Sequence, residues 1–316
     1  MRGFDRQAFE LAAANIARCI GIPPARSVLV TYSPPKRGLA ERVCKELRGR
    51  GLQARLIELT VGDGGGSLEP TKDLVRSVAG SWGLVFLISY SQAQFVFDVV
   101  GRPDRGIKLP QDHMYCDYCM SLPGLVRAKG IDEEELGLFR DALVRALVDG
   151  SPAGSIRVTT PSGTDIAVVP RRWNLTNGEV FTALVEGIAA GVIVVDGCAY
   201  SGPPRTPFTL RIEAGRVANL DQLDQNDEQQ RMVRTDLTRD VNAAVLAEFG
   251  IGINPGARKD ADLMEAEQAR GTCHFGFGHN IEYGGANRSS YHFDLVVLRP
   301  AITIGERVVC ARQCGC

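Results

Sequence analysis

Apolar residues along this chain fall into distinct patterns, and each predicts a different kind of element. Between residues 4 and 19 they recur at helical spacing in FDRQAFELAAANIARC, which predicts an amphipathic helix stopped by Gly21 and Pro23. SVLVTYS (residues 27–33) is then a short continuous apolar run, and the helical stretch RGLAERVCKELRGRG separates it from a second run, QARLIELTV. After the turn GDGGGS and a helical TKDLVRSVAG comes a third run, WGLVFLISYS. Strands that are apolar throughout and alternate with helices are covered on both faces, so this half predicts a parallel sheet. The proline-containing segment from Gly101 to Cys119 reads as irregular. IDEEELGLFRDALVRALVDG (residues 131–150) reads as an amphipathic helix ended by Gly150, where a domain boundary is expected.

From Ser151 the pattern becomes alternating. SIRVTTPSGTDIAVVP predicts a hairpin turning at Pro161-Ser162-Gly163, and GVIVVDGCAY and TPFTLRIEAGRVANL continue in strands, the latter through an Ala-Gly turn. One long helix is predicted from about Asn226 to Phe249. The expected fold is α/β: a small parallel-sheet, Rossmann-like domain over residues 1–150, then a strand-rich α+β metal-binding domain over residues 151–316.

Charge narrows the partners. With 36 Lys and Arg against 37 Asp and Glu, and no basic block, the chain lacks the footprint of a nucleic-acid binder. No run reaches the ~18 apolar residues of a membrane span, and the first helix is too polar for a signal peptide, so a cytoplasmic protein without membrane association is expected. The nine cysteines are an odd number, which argues against a closed disulfide framework. Cys116 and Cys119, and the tail cysteines Cys310, Cys314 and Cys316, are read as reduced thiols, because a zinc ribbon shows two close CxxC knuckles. GDGGGS lacks both the GxGxxG spacing and a GKS/T ending, and reads as a surface turn. Ser89, Tyr90 and Ser91 close the third apolar run, where ligands collect in open α/β sheets.

The richest chemistry lies in GTCHFGFGHNIEYGGANRSSYHFD (residues 271–294), which holds three of the four histidines. His292 and Asp294 are two positions apart, so an extended segment points them to one face. A Gly, Asn and Ser-rich loop lets His274 approach the same place. Two further segments offer carboxylates. Glu179 follows an Asn-Gly turn and leads into a β-prone Val-Phe-Thr, and Glu248 is expected as the last charge of the long helix. Imidazoles with carboxylates suit Zn, Fe, Mn or Co, and five such ligands are enough for two divalent ions with positions left for water and substrate.

In their order and separations, NGEVFTA, AEFGIGINPGA, GTCHFGFGHN and YHFD resemble the aminopeptidase T (leucyl aminopeptidase T) family of dinuclear metallopeptidases. The resemblance runs from about Asn174 to Val297, and the chain looks like a shortened member, reduced mostly in the first domain. It implies Glu179, Glu248, His274, His292 and Asp294 as ligands of two metal ions, Zn, Co or Mn. It also implies a homodimer, and a small peptide or amino-acid derivative as substrate. Tyr283 is the nearest match to a family tyrosine beside the metals. An acidic residue before the first histidine corresponds to Glu265 or Glu267. The expected chemistry is hydrolysis of an N-terminal peptide or similar amide bond, with Glu248 moving the proton and Tyr283 or His279 stabilising the oxyanion. The alternative is a mononuclear iron(II) dioxygenase related to 2,5-dihydroxypyridine dioxygenase, with His274, His292 and Asp294 as a facial triad. That relative resembles the chain in its His-x-Asp but carries a histidine at the Glu248 position and no glutamate at the Glu179 position.

Overall fold

The computed structural model describes residues 5–59, 72–88, 114–117, 120–149, 154–176 and 178–310. Ser89 to Ser91, the GDGGGS turn, His113, Cys119, Cys314 and Cys316 lie outside these residues. The chain forms two compact units, Met1–Ile131 and Asp132–Cys316. The division falls ahead of the helix Glu133–Asp149, so that helix belongs to the second unit and not to the first domain, where its position in the sequence had placed it. Its place follows from packing. It contacts strands of the second unit, and Phe139 lies under the Arg270 guanidinium, 4.4 Å from the ring centroid.

The first unit matches the β-α-β reading. The helix Arg6–Arg18 starts at Asp5, whose carboxylate accepts the Gln7 N–H. Strands β1 (Ser27–Tyr32), β2 (Gln53–Glu58), β3 (Gly83–Leu87) and β4 (Met114–Asp117) form a sheet in the order β2-β1-β3-β4. All its pairings are parallel. The helices Arg37–Gly49, Lys72–Ala79 and Leu122–Lys129 connect or follow these strands. β1 and β3 are almost wholly buried, as continuous apolar strings require.

The second unit contains two antiparallel sheets. In the first lie β5 (Ile156–Thr159) and β6 (Asp165–Val168), the predicted hairpin. Strand β7 (Pro170–Leu175) pairs with β8 (Glu179–Leu184) in the other sheet. Strands β9 (Ala190–Val195), β10 (Phe208–Glu213) and β11 (Arg216–Val217) return to the first sheet, with β10 and β11 joined through Ala214 and Gly215, both at positive φ. Strands β12 (Leu246–Gly252), β13 (Thr272–Gly278) and β14 (His292–Leu298) belong to the second sheet, and β15 (Ala301–Ile304) and β16 (Arg307–Cys310) to the first. The orders are β11-β10-β9-β6-β5-β15-β16 and β14-β13-β12-β8-β7.

The long helix predicted to reach Phe249 ends much earlier. It runs from Glu228 to Leu237, capped by the Asp227 carboxylate on the Gln230 N–H, and Glu248 therefore stands on strand β12. The cause is tertiary. Every residue from Ala243 to Asn254 is buried, and a surface helix, which keeps a polar stripe, cannot bury all its sides. In the centre of a sheet both faces are covered, and the helix preference of AAVLAEF is overridden.

Candidate metal centre

Pairing registers place all five predicted ligands on one face of the five-stranded sheet. Ala183, Glu248, Gly276 and Asp294 form one row across β8, β12, β13 and β14, and Phe181, Gly250, His274 and Val296 form the next. Glu179 lies opposite Gly252, and His292 opposite Gly278. Side chains two apart along a strand share a face, so Glu179, Glu248, His274, His292 and Asp294 project together.

Two local features make this convergence possible. The first is a β-bulge at Ala247. Leu246 pairs with Phe277 and Glu248 with Gly276, so the register gains a residue between them. In a regular strand Leu246 and Glu248, two positions apart, would share a face; the bulge lets Leu246 face the other way while Glu248 stands on the face of the histidines. The second feature is a floor of glycines. A Cβ at Gly276 would lie 2.7 Å from Asp294 Oδ1, 2.7 Å from Glu248 Cβ and 2.9 Å from His292 Cε1. A Cβ at Gly250 would collide with the His274 ring, and one at Gly252 with the carbonyls of Ala269 and Glu267. Gly250 and Gly276 thus supply the volume that the ligating side chains occupy, and Gly252 admits the backbone beside them.

The distances are those of a ligand cage. His274 Nε2 lies 3.4 Å from Glu179 Oε2 and 3.5 Å from Glu248 Oε1; His292 Nε2 lies 3.4 Å from Glu248 Oε2 and 3.3 Å from Asp294 Oδ2. Donor atoms bonded at ~2.0–2.1 Å to one tetrahedral ion stand about 3.3–3.4 Å apart. Glu248, His292 and Asp294 each bring one atom to within 4.8 Å of the others. Glu248 Oε2, Glu267 Oε2, His274 Nδ1 and Asp294 Oδ1 are buried with no hydrogen-bond partner, a costly arrangement unless a cation satisfies the oxygens. The residues fit divalent metal.

Glu267 is a sixth member of the cluster. Of the two acidic residues left open by the sequence, it is the one in the field of the site. Burial first, then the negative charges of Glu179 and Asp294, push its carboxyl well above the usual range. Glu265 accepts the backbone N–H of Arg258 at 3.0 Å. Burial also opposes charge on His274 and His292, yet the carboxylates around them outweigh it and hold both imidazoles up at about 10. For Asp294, burial is outweighed by the two histidines, and its carboxyl is lowered.

The loop between β13 and β14 completes the site. Its Ile281–Tyr283 turn places the Tyr283 ring edge-on to His292, centroids 5.6 Å apart, and edge-on to Phe181 at 5.3 Å. His279, a second candidate for the oxyanion, instead directs its Nε2 to Glu282 Oε2 at 2.7 Å. Its backbone carbonyl lies 2.7 Å from His292 Nδ1. A carbonyl can only accept, so Nδ1 carries the hydrogen and Nε2 faces the carboxylates.

The cysteines have no part in the cage among the described residues. Cys44, Cys198 and Cys273 are buried thiols outside any disulfide. Burial pushes Cys198 up to about 12 and raises Cys273 further, as befits inert, apolar thiols. The Cys116/Cys119 pair and the tail lie beyond the side chains described.

Sequence reasoning missed the bulge and could not choose Glu267. The glycine floor did carry a signal: in FGIG and HFGFG, glycine recurs at every second residue beside a ligand.

No family profile matches the sequence, and no curated protein matches it. Likeness appears at the level of structure. The chain is similar to 2,5-dihydroxypyridine dioxygenase from Pseudomonas putida, with a TM-score of 0.65 at 16% identity over 98% of this chain and 97% of that one. It is also similar to AmpT from Thermus thermophilus, with a TM-score of 0.62 at 15% identity over 95% of each chain. The likeness runs through both units, well beyond the segment from Asn174 to Val297, and what it shows is a shared fold.

Proposed function

We propose that this protein is a metal-dependent hydrolase that cleaves an amide bond, most simply the N-terminal peptide bond of a small peptide or amino-acid conjugate. Glu179, Glu248, His274, His292 and Asp294 would hold two divalent ions, zinc, cobalt or manganese, with Glu267 alongside. The observation that carries the reading is charge. Four carboxylates, Glu179, Glu248, Glu267 and Asp294, act on one another in a largely buried cluster, and the strongest compensating charges are the two imidazoles. Two divalent ions would let all four carboxylates ionise, Glu267 included, and leave the imidazoles neutral. One ferrous ion would balance only two of them, and the others would have to be neutralised by protons.

The ions, when bound, would lower the pKa of a shared water and polarise the scissile carbonyl. Glu248 is the residue placed to move the proton. It lies between the two histidines and only 6% of its side chain is exposed, so a proton it accepts is kept from bulk water and can be returned to the leaving amine. Glu179, His292 and Asp294 are more open, with 15%, 23% and 17% of their side chains exposed, which marks the side from which substrate enters. Tyr283, against the His292 ring on that loop, is positioned to donate to the developing oxyanion.

The iron reading rests on the fold likeness to a dioxygenase. Against it stand Glu179 and Glu248, two carboxylates of the cage that a triad of His274, His292 and Asp294 on a single iron would leave without a role.

Elemental analysis of protein purified without added ions tests the proposal, together with dipeptide hydrolysis and oxygen uptake on 2,5-dihydroxypyridine. About two zinc, cobalt or manganese ions per chain with release of a free amino acid is the expected result. About one iron per chain with oxygen consumption would overturn it.

A further inference from the structure

Glu248 depends on a bulge, and His292 depends on a loop carbonyl. One buried side chain is hydrogen-bonded at the first support and belongs to the residue that follows the second. Asn280 is fully buried. Its Nδ2 donates to the carbonyl of Ala247, the bulged residue, at 2.9 Å, and to Glu186 Oε1 at 3.0 Å. Its Oδ1 accepts the Asn287 N–H at 2.9 Å, and its backbone carbonyl accepts the N–H groups of Tyr283 at 3.1 Å and Gly285 at 3.0 Å. Gly285 is free of a Cβ where that atom would strike the Asn280 carboxamide. Every polar atom of the side chain is therefore engaged, by the strand that carries Glu248, by the loop that carries Tyr283 and by Glu186, two residues beyond the end of β8.

Glu186 fixes which way the carboxamide faces. Its Oε1 also accepts the Ala286 N–H at 2.7 Å, and Arg171 pairs with its other oxygen at 2.6 Å. An anion at this place requires the NH2 end of Asn280 to point toward it, which in turn directs the second N–H at the Ala247 carbonyl. One amide thus ties together the bulge that aims Glu248, the turn that presents Tyr283, and the residue next to His279, whose carbonyl orients His292.

We propose that Asn280, oriented by Glu186, is the positioning residue of the metal centre: it touches neither metal nor substrate and sets the placement of Glu248, His292 and Tyr283 together. The inference rests on the metal-hydrolase reading for its readout, and on hydrogen-bond geometry for its content. An Asp at position 280 keeps the shape and the acceptor for Asn287, but sets an oxygen against both Glu186 and the Ala247 carbonyl. A Gln at 186 keeps an acceptor for Asn280 and Ala286 and loses only charge.

The test uses the full chain loaded with cobalt(II), with affinity measured by competition against a chromophoric chelator and geometry read from the cobalt absorption bands. Wild type, Asn280→Ala, Asn280→Asp, Glu186→Ala and Glu186→Gln are compared. Loss of a group that orients a ligand weakens metal affinity by about 10–100-fold. That loss, with altered cobalt bands, is expected in both Asn280 variants. Glu186→Ala should follow in part, and Glu186→Gln should stay near wild type. Wild-type affinity and bands in Asn280→Asp, even at a lowered melting temperature, would overturn the proposal. If the Asn280 variants do not fold, Glu186→Ala decides: unchanged affinity and bands would overturn it as well. A wild type that binds no cobalt would instead overturn the metal-hydrolase reading.

Discussion

The two antiparallel sheets of the second unit are built from the same kind of strand and put to different ends. In the seven-stranded sheet, β10 buries every second residue and exposes the others, and β5 and β6 do much the same. Its charges stay outside, as in the Arg157–Asp165 pair on the hairpin. In the five-stranded sheet, β12 and β13 are buried along their whole length, yet one of their faces carries Glu248 and His274 beside glycines. The difference teaches where a site can be placed. Alternation gives a strand one apolar face to fold with, whereas a site face must give up apolar side chains and leave room, at a cost in stability that neighbouring packing offsets.

The largest effects should therefore come from charge changes on the site face. Glu179→Gln and Glu248→Gln, like His292→Ala, should lose metal, activity or both, with turnover down at least ~100-fold. Metal analysis and kinetics of the same preparations check this. Full occupancy and near-normal turnover in both glutamine variants would refute the two-ion assignment and promote the iron reading.

Filling the glycine floor should come next. Gly276→Ala sets a methyl against Asp294 and Glu248, and overpacking of this kind costs about 1–3 kcal/mol. Weaker metal binding should accompany a lower denaturation midpoint. A midpoint that falls while metal affinity stays at the wild-type value would separate the floor from the cage.

Acid should release the loop before it unfolds the rest. Although burial opposes its charge, the Ala286 N–H, Asn280 and Arg171 hold the Glu186 carboxyl down at about 2 against an ordinary 4.5. Its folded value is depressed, so its contribution is present above about 4.5 and lost as pH falls toward 2. Chemical denaturation across that range should show a steeper loss in wild type than in Glu186→Gln. Parallel curves would sink the assignment.

The smallest effect belongs to the outer face of the seven-stranded sheet. Thr209→Ala on β10, at an exposed position, should change stability by less than ~0.5 kcal/mol and leave metal binding unaltered.

Sequence alone determined the elements whose signals are local. The β-α-β order of the first unit follows from continuous apolar runs between amphipathic helices. The hairpins follow from alternation around Pro161-Ser162-Gly163 and Ala214-Gly215, and the shared face of His292 and Asp294 follows from their spacing. Tertiary structure decided the rest, because those features depend on partners far along the chain. AAVLAEF has helix formers in a continuous apolar run, and only burial between β8 and β13 makes it a strand. Leu246 and Glu248 share a parity, and only the register against Phe277 and Gly276 reveals the bulge that separates their faces. Glu267 and Glu265 look alike in sequence, and folding sets one in the field of the cluster and the other against a backbone N–H. Asn280 and Glu186, 94 residues apart, meet over the carbonyl of Ala247. No periodicity records such a meeting, because a hydrogen bond depends on where two atoms stand in space and not on how many residues lie between them.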